Sequence, residues 1–313
     1  MDNLLAFTPY GIRVALALLL GIVVAALYMN HKRHPSLHVL LTFGVAVVPC
    51  TFLVSRLFFI LANSTYYLTT LSKPSLALRF WDGGYAMTGA FAGACLGAVL
   101  AAKAVHLSPR LMLDAVGLGF PAAAVAARLA EIGTGLGEGR EVTGWIPPLA
   151  PEGYDGYLHP VFLYEALAAL VIFLLLLALS RSHHQLPHEG DLLLMSLLLY
   201  GICEIFLESL KDDGHMVVHF VRIQQVLALL MVLITMVIWA RRVSNRKTVV
   251  LSTCLTLICI GLAVFSEFGV DRWGNRLLAY GLMLSCLLIM LLTALHLYHL
   301  TLKELPRNGK STD

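Results

Sequence analysis

Charge is the first thing this sequence lacks. Lys, Arg, Asp and Glu make up only 13% of its 313 residues, against 58% hydrophobic residues and a mean hydropathy of +0.80. Soluble domains carry about 25% charged residues, so a water-soluble fold is excluded and much of the apolar sequence must face hydrocarbon. A basic stripe with interleaved aromatics is missing too, and the net charge is only +3, which sets nucleic acid aside as a partner. The six cysteines (Cys50, Cys95, Cys203, Cys254, Cys259 and Cys286) all lie inside apolar runs, none in CxxC or zinc-ligand spacing. They imply neither a disulfide framework nor a zinc site and read as small buried hydrophobes. Residues 1–13 lack the basic region and cleavable apolar stretch of a secretory signal. The first apolar run is therefore expected to stay as a membrane helix.

Long apolar runs are what the sequence has in quantity. Runs able to cross a ~30 Å hydrocarbon layer fall at roughly 10–30, 37–63, 85–106, 111–131, 158–180, 191–209, 219–241, 248–267 and 277–300. The expected fold is thus all-α, a polytopic bundle of nine membrane helices. The fourth run fits least well, because Asp114, Arg128 and Glu131 interrupt it. With the N-terminus outside and the C-terminus inside, twelve of the 22 basic residues lie in inner segments, eight (Lys211 and Arg222 among them) on the outer side, and Arg56 and Arg128 within helices. The two long loops, 64–84 and 132–157, then face outward, and loops of such length are usually functional.

An ionisable group at mid-bilayer costs about 2.5–3.5 kcal/mol on insertion scales, so each one asks for a partner or a polar cavity. Arg56, Asp114, Arg128, Glu131, Glu165, Glu204 and Glu208 fall within the runs, with His159 and Lys211 at run ends. Arg128 and Glu131 are spaced i, i+3, and Glu204 and Glu208 i, i+4, so each pair shares a helical face. The first pair reads either as a structural ion pair or as part of a headgroup site. Gly133, Gly135, Gly137 and Gly139 follow it, and such a turn can bring N–H groups near an anion. Two carboxylates one turn apart repel unless a cation or a shared proton intervenes. Lys211 can satisfy one of them; a proton-handling pair or a general base is the functional alternative. His159 precedes Pro160, a residue suited to a first helical turn, and reads as a cap or as a base.

Taken in order, Tyr10-Gly11, Ser55-Arg56-Leu57-Phe58, Trp81-Asp82-Gly83-Gly84, Ala127-Arg128-Leu129 with Gly135 and Gly139, His159-Pro160…Leu163-Tyr164-Glu165, Tyr200-Gly201 with Glu208, and Gln225 resemble the motifs of bacterial prolipoprotein diacylglyceryl transferases over roughly residues 8–242. The resemblance implies a seven-helix core in the bacterial inner membrane. It also implies transfer of the diacylglyceryl group of phosphatidylglycerol to the lipobox cysteine of a secreted precursor, at the outer leaflet, with no cofactor and no metal. Tyr10, Arg128 and Gly139 fall on positions important in that family, Arg128 as a phosphate ligand. Together with the charged residues this marks Glu131, Glu204, Glu208, Arg128 and His159 as candidate catalytic residues. Tyr10, Arg56, Asp82, Thr88, Gly139, Tyr164, Glu165 and Lys211 are candidate substrate-binding residues.

Four positions depart from the family pattern: Thr88 where it has histidine, Glu131 for asparagine, Leu136 for glutamate, and Glu204 for arginine. An arginine-to-glutamate change places like charge beside a phosphate. The departures leave open a related membrane transferase with another lipid donor or a non-thiol acceptor, and a non-catalytic lipid-binding paralogue. Residues 1–245 are expected to form the transferase-like core, 246–302 an added helix pair outside the resemblance, and 303–313 a cytoplasmic tail.

Overall fold

The computed structural model describes residues 9–64, 67, 75, 79, 84–142, 150–153, 156–181, 186, 188–211, 217–218, 221–270 and 272–304. Nine helices among the described residues are long and apolar enough to span a membrane: α1 (Pro9–Arg33), α2 (Leu37–Ala62), α3 (Met87–Ala104), α4 (Pro109–Leu129), α5 (Val161–Ser180), α6 (Asp191–Ser209), α7 (Ile223–Ala240), α8 (Arg246–Val270) and α9 (Arg276–Lys303). This is the all-α polytopic bundle expected from hydropathy, with several boundaries moved. The doubtful fourth run is a full helix, but it closes at Leu129 and leaves Glu131 in the turn beyond. The fifth helix starts at Val161 instead of 158. Pro160 stands at its N-cap (φ −77°, ψ 72°), outside the first helical turn, and Tyr157–Leu158 form strand β2 against β1 (Glu141–Val142). The seventh starts at Ile223, because Val221–Arg222 (β4) pair with Val217–Val218 (β3). Strands of two residues are too short to show a period of two.

In α4 and α6, 67% of the membrane window is buried inside the bundle, against 22% in α1 and 17% in α2. The first two are therefore the centre and the others the lipid-facing rim. Small residues let the helices meet closely, as lipid-embedded packing requires. Gly89, Gly93 and Gly97 stack along α3 against the backbone of α2, and a Cβ on Gly97 would lie 2.6 Å from Val47 Cα. Aromatic packing joins α3, α4 and α6: Phe91 and Phe120 stack at 4.0 Å, and Tyr200 sits edge-on to both, at 6.0 and 5.2 Å.

One end of the bundle is closed by polar contacts that explain Asp114. Its carboxylate accepts hydrogen bonds from the N–H groups of Gly190 (2.8 Å) and Leu193 (3.0 Å), satisfying the open start of α6 from a neighbouring helix. Asp191 pairs with Arg242 at 2.5 Å, and the Lys32 ammonium donates to the Ser180 carbonyl at 3.0 Å. The helix pair α8–α9 packs mainly on itself and reaches the core where α9 meets α6 and α7.

Replacing Gly93 by Leu is expected to separate α2 from α3 and lower the thermal midpoint of the detergent-solubilised protein by several degrees. Gly281→Leu, where a side chain meets open space, should leave the midpoint within error.

Candidate active site

Five helix ends converge at the opposite end of the bundle: the starts of α1, α5 and α7 and the ends of α4 and α6. The join is close enough for the Arg13 guanidinium, on α1, to donate to the carbonyl of Ala130, just past α4 (3.3 Å). Here the costly residues of four segments meet in one line of alternating charge. Arg128 places Nη1 2.9 Å from Glu131 Oε1 and Nε 2.8 Å from Glu165 Oε2. Lys211 Nζ lies 2.8 Å from Glu165 Oε1 and 2.8 Å from Glu208 Oε2. Arg222 Nη1 closes the line 3.7 Å from Glu208 Oε1, while its Nη2 donates to the Lys211 carbonyl at 2.5 Å. Each buried carboxylate thus faces a cation, the condition under which the ions tolerate removal from water. Burial by itself pulls the Lys211 ammonium down, but Glu165 and Glu208 outweigh it and raise its pKa above the ordinary lysine range.

Glu204 is the seventh charged residue and stands outside this alternation. It is buried, hydrogen-bonded to Tyr200 one turn earlier, and forms no ion pair among the described residues. Its carboxylate lies within 4.8 Å of those of Glu165 and Glu208. A cavity of about 10 Å³, room for one water, is lined by Glu204, Arg128, Glu165, Tyr200 and Cys203. The three carboxylates are close enough to hold a cation, but the Lys211 ammonium already touches two of them. Arg128 spends Nη1 and Nε on carboxylates, leaving Nη2 as the part of its fork not committed to an ion pair among the described residues.

Backbone pairing sets the position of Lys211. The Gly139 N–H donates to the His159 carbonyl (2.8 Å), the Arg140 N–H to the Leu210 carbonyl (3.0 Å) and the His159 N–H to the Arg140 carbonyl (3.1 Å), with Gly139 bridged to Lys211. A Cβ on Gly139 would lie 2.6 Å from both the Leu210 oxygen and Val161 Cγ2. Gly139 is thus a point of close backbone approach, and its N–H is committed to His159, not free to cradle an anion. The glycine turn before it does form: Gly133, Gly135 and Gly137 have φ of 74°, 76° and 67°, the left-handed region glycine enters without penalty.

The other candidates surround this line. Tyr10 is half-buried at the start of α1, within electrostatic reach of Glu131 and Arg128. His159 Nδ1 lies 3.2 Å from the Tyr164 hydroxyl, and burial pushes the imidazole below its usual pKa, towards the neutral form. Thr88 is buried and its hydroxyl meets Gln224 Oε1, tying the start of α3 to that of α7. Arg56 is buried and donates to the carbonyls of Gly84 and Arg79, 3.0 Å each, which makes it a clamp for the segment before α3. Asp82 lies outside the described residues.

Arg222 is the member that sequence reasoning passes over, since by count it is one more outer-loop cation. One signal for it exists: Gln225, three residues on at the head of an apolar run, accepts the Arg222 N–H at 3.2 Å as helix-start pairs do. Gln225 also donates to the Ile205 carbonyl at 3.2 Å, binding α7 to α6 beside the site.

A family model described as prolipoprotein diacylglyceryl transferase matches residues 3–241. The chain belongs to that family. Similar curated proteins, each named phosphatidylglycerol–prolipoprotein diacylglyceryl transferase, include one from Lactobacillus johnsonii, 25% identical over 249 residues (77% of this chain, 87% of the relative). Another, from Clostridioides difficile, is 27% identical over 213 residues (66% and 79%). A third, from Staphylococcus aureus, is 27% identical over 236 residues (72% and 81%). The family match takes in every residue of the charged line and ends within one residue of α7, leaving α8 and α9 beyond it.

Removing one member of the line leaves its buried partners short of a cation. Lys211→Met, which leaves Glu165 to Arg128 alone and Glu208 to the 3.7 Å contact with Arg222, is expected to cost about 3 kcal/mol, read as a fall in thermal midpoint. Arg33→Gln at the exposed Arg33–Glu189 pair should cost under about 1 kcal/mol.

Proposed function

We propose that this chain transfers the diacylglyceryl group of phosphatidylglycerol to the cysteine sulfur of a lipoprotein precursor, and that Glu204 is the base. Family membership and the names of the relatives support the reaction. The observation that supports the role is the unbalanced carboxylate. Three cations (Arg128, Lys211, Arg222) face three carboxylates (Glu131, Glu165, Glu208) in contact. Glu204 is the fourth, turned to a cavity that also reaches the Arg128 guanidinium.

A free thiol has a pKa of about 8.5, and its thiolate is the nucleophile. In the proposed step the thiol proton passes to Glu204 as sulfur attacks the terminal glyceryl carbon of the donor. The C–S bond forms, the C–O bond to phosphate breaks, and glycerol 1-phosphate leaves with the electron pair. Charge builds on the departing phosphate oxygens, where Arg128 and Lys211, already oriented by Glu165, stabilise it without reorganisation. Tyr10 and Tyr164 flank the donor, and the His159–Tyr164 pair borders the entrance.

The site lies at the bundle end where α1 begins. The excess of basic residues at the other end supports an N-terminus outside and a C-terminus inside, which puts the chemistry at the outer leaflet of the inner membrane, where precursors emerge. Residues 1–245 are the catalytic core in this reading, 246–302 an added helix pair, and 303–313 a cytoplasmic tail.

One observation favours a second reading, a transferase with another donor or a non-thiol acceptor. With Glu204 ionised, four carboxylates outnumber three cations, which suits a hydroxyl or amine acceptor, or a sugar or cationic headgroup, better than an anionic lipid. Complementation of a strain depleted of its own lipoprotein transferase separates the two. Rescue by the wild-type chain, and loss of rescue by Glu204→Gln at equal membrane abundance, is the expected result, with purified activity down at least a hundredfold. Full activity of Glu204→Gln removes the base assignment, and failure of the wild type to rescue favours the second reading.

A further inference from the structure

A second cavity, larger than the first and sharing none of its lining, opens where the added helices meet the core. It has a volume of about 80 Å³ and lies between α6, α7, α8 and α9, with Leu229, Ile260, Ala263 and Leu287 among its apolar lining. Its two polar side chains, Gln225 and Glu267, are both at one end, since Gln225 opens α7 and Glu267 lies in the last turn of α8. From Glu267 the α8 lining runs down to Ile260, about 10 Å at 1.5 Å per residue. A cleft polar at its membrane-surface end and apolar down its length has the polarity of a lipid in one leaflet.

Glu267 points to what the polar end takes. It is 8% exposed, its carboxylate faces Ser209 and Gln225, and its Oε2 accepts no hydrogen bond among the described residues. A buried carboxylate oxygen without a donor costs free energy that an incoming donor recovers. The positive field of Arg222 and Arg140 acts on the same place, which opposes an ammonium head, and the carboxylate itself opposes an anionic one. A neutral hydroxyl satisfies both conditions. We propose that the cleft between α6–α7 and α8–α9 is a binding site for a hydroxyl-headed lipid, one hydrocarbon chain lying along α8 and α9 and the hydroxyl donating to Glu267. The helix pair outside the family match thereby forms the wall of a lipid site. This inference does not rest on the proposed reaction.

The test is photolabelling of the full-length protein, in membranes and purified, with a monoacylglycerol carrying a diazirine in its chain, followed by peptide mapping. Labelling should concentrate on the facing sides of α7, α8 and α9 and fall at least fivefold under excess unlabelled monoacylglycerol. Ala263→Trp, which fills the cleft, should lower it about tenfold, and a hydroxyl-free methyl ester probe, or Glu267→Leu with the original probe, should lower it severalfold. Competition on the wild type does not depend on the variants folding. Uniform labelling of all lipid-facing helices, or the absence of competition, overturns the site. Equal labelling by the methyl ester overturns the role of the hydroxyl. Labelling of purified protein but not of membranes overturns the lipid as occupant, because another polypeptide then fills the cleft. Transferase activity is not read, so this outcome is independent of the proposed reaction.

Discussion

Charges that would each cost several kcal/mol if isolated in hydrocarbon share one pocket here because every cation touches a carboxylate on either side or a carbonyl. That alternation, from Glu131 through Arg128, Glu165, Lys211 and Glu208 to Arg222, constrains the rest of the molecule. It draws α4, α5, α6 and the ribbon before α7 to one end of the bundle. The backbone around Gly139 passes against Leu210 and bridges to Lys211, next to the two carboxylates that hold its ammonium. The alternation also makes Glu204 distinct, because the line is electrically complete without it.

The same alternation bears on the departures from the family pattern. By the resemblance, position 204 carries arginine in the family, and glutamate there replaces a positive charge by a negative one. Lys211 and Arg222, which in the linear sequence are ordinary outer cations, are buried within the site and supply positive charge next to Glu208. The Glu131 carboxylate is likewise absorbed by Arg128. Of the two carboxylates gained, only Glu204 then remains outside an ion pair among the described residues, directed at a small cavity; the pairings do not account for Thr88 or Leu136.

Much of the fold was legible, because membrane helices announce themselves by length and apolar content, and the nine runs reappear as nine helices among the described residues. The boundaries that moved were those set by the two short ribbons, whose strands are fixed by cross-chain hydrogen bonds and not by any local period. Within the site, i, i+3 spacing pointed to Arg128 with Glu131, and Lys211, three residues beyond Glu208, satisfies that carboxylate and not Glu204. The central place of Glu165 was not readable, since it depends on α5 meeting both α4 and α6. Arg222 and Glu267 were missed for the same reason: each is charged, close to a helix end and unremarkable in sequence, and only the packing of α8 against the ribbon before α7 shows them buried. Gly139, expected among the substrate-binding residues, has a steric part in the structure, where it lets the backbone pass against Leu210.

The most direct measurement is an experimental structure with phosphatidylglycerol bound in a lipid nanodisc. A headgroup phosphate within hydrogen-bonding distance of Arg128 Nη2, with the terminal glyceryl carbon of the diacylglyceryl moiety within about 4 Å of the Glu204-lined cavity, is the predicted result. A headgroup seated away from Arg128, or a Glu204 carboxylate packed against hydrocarbon with the lipid elsewhere, contradicts the assignment of this charged line as the active site.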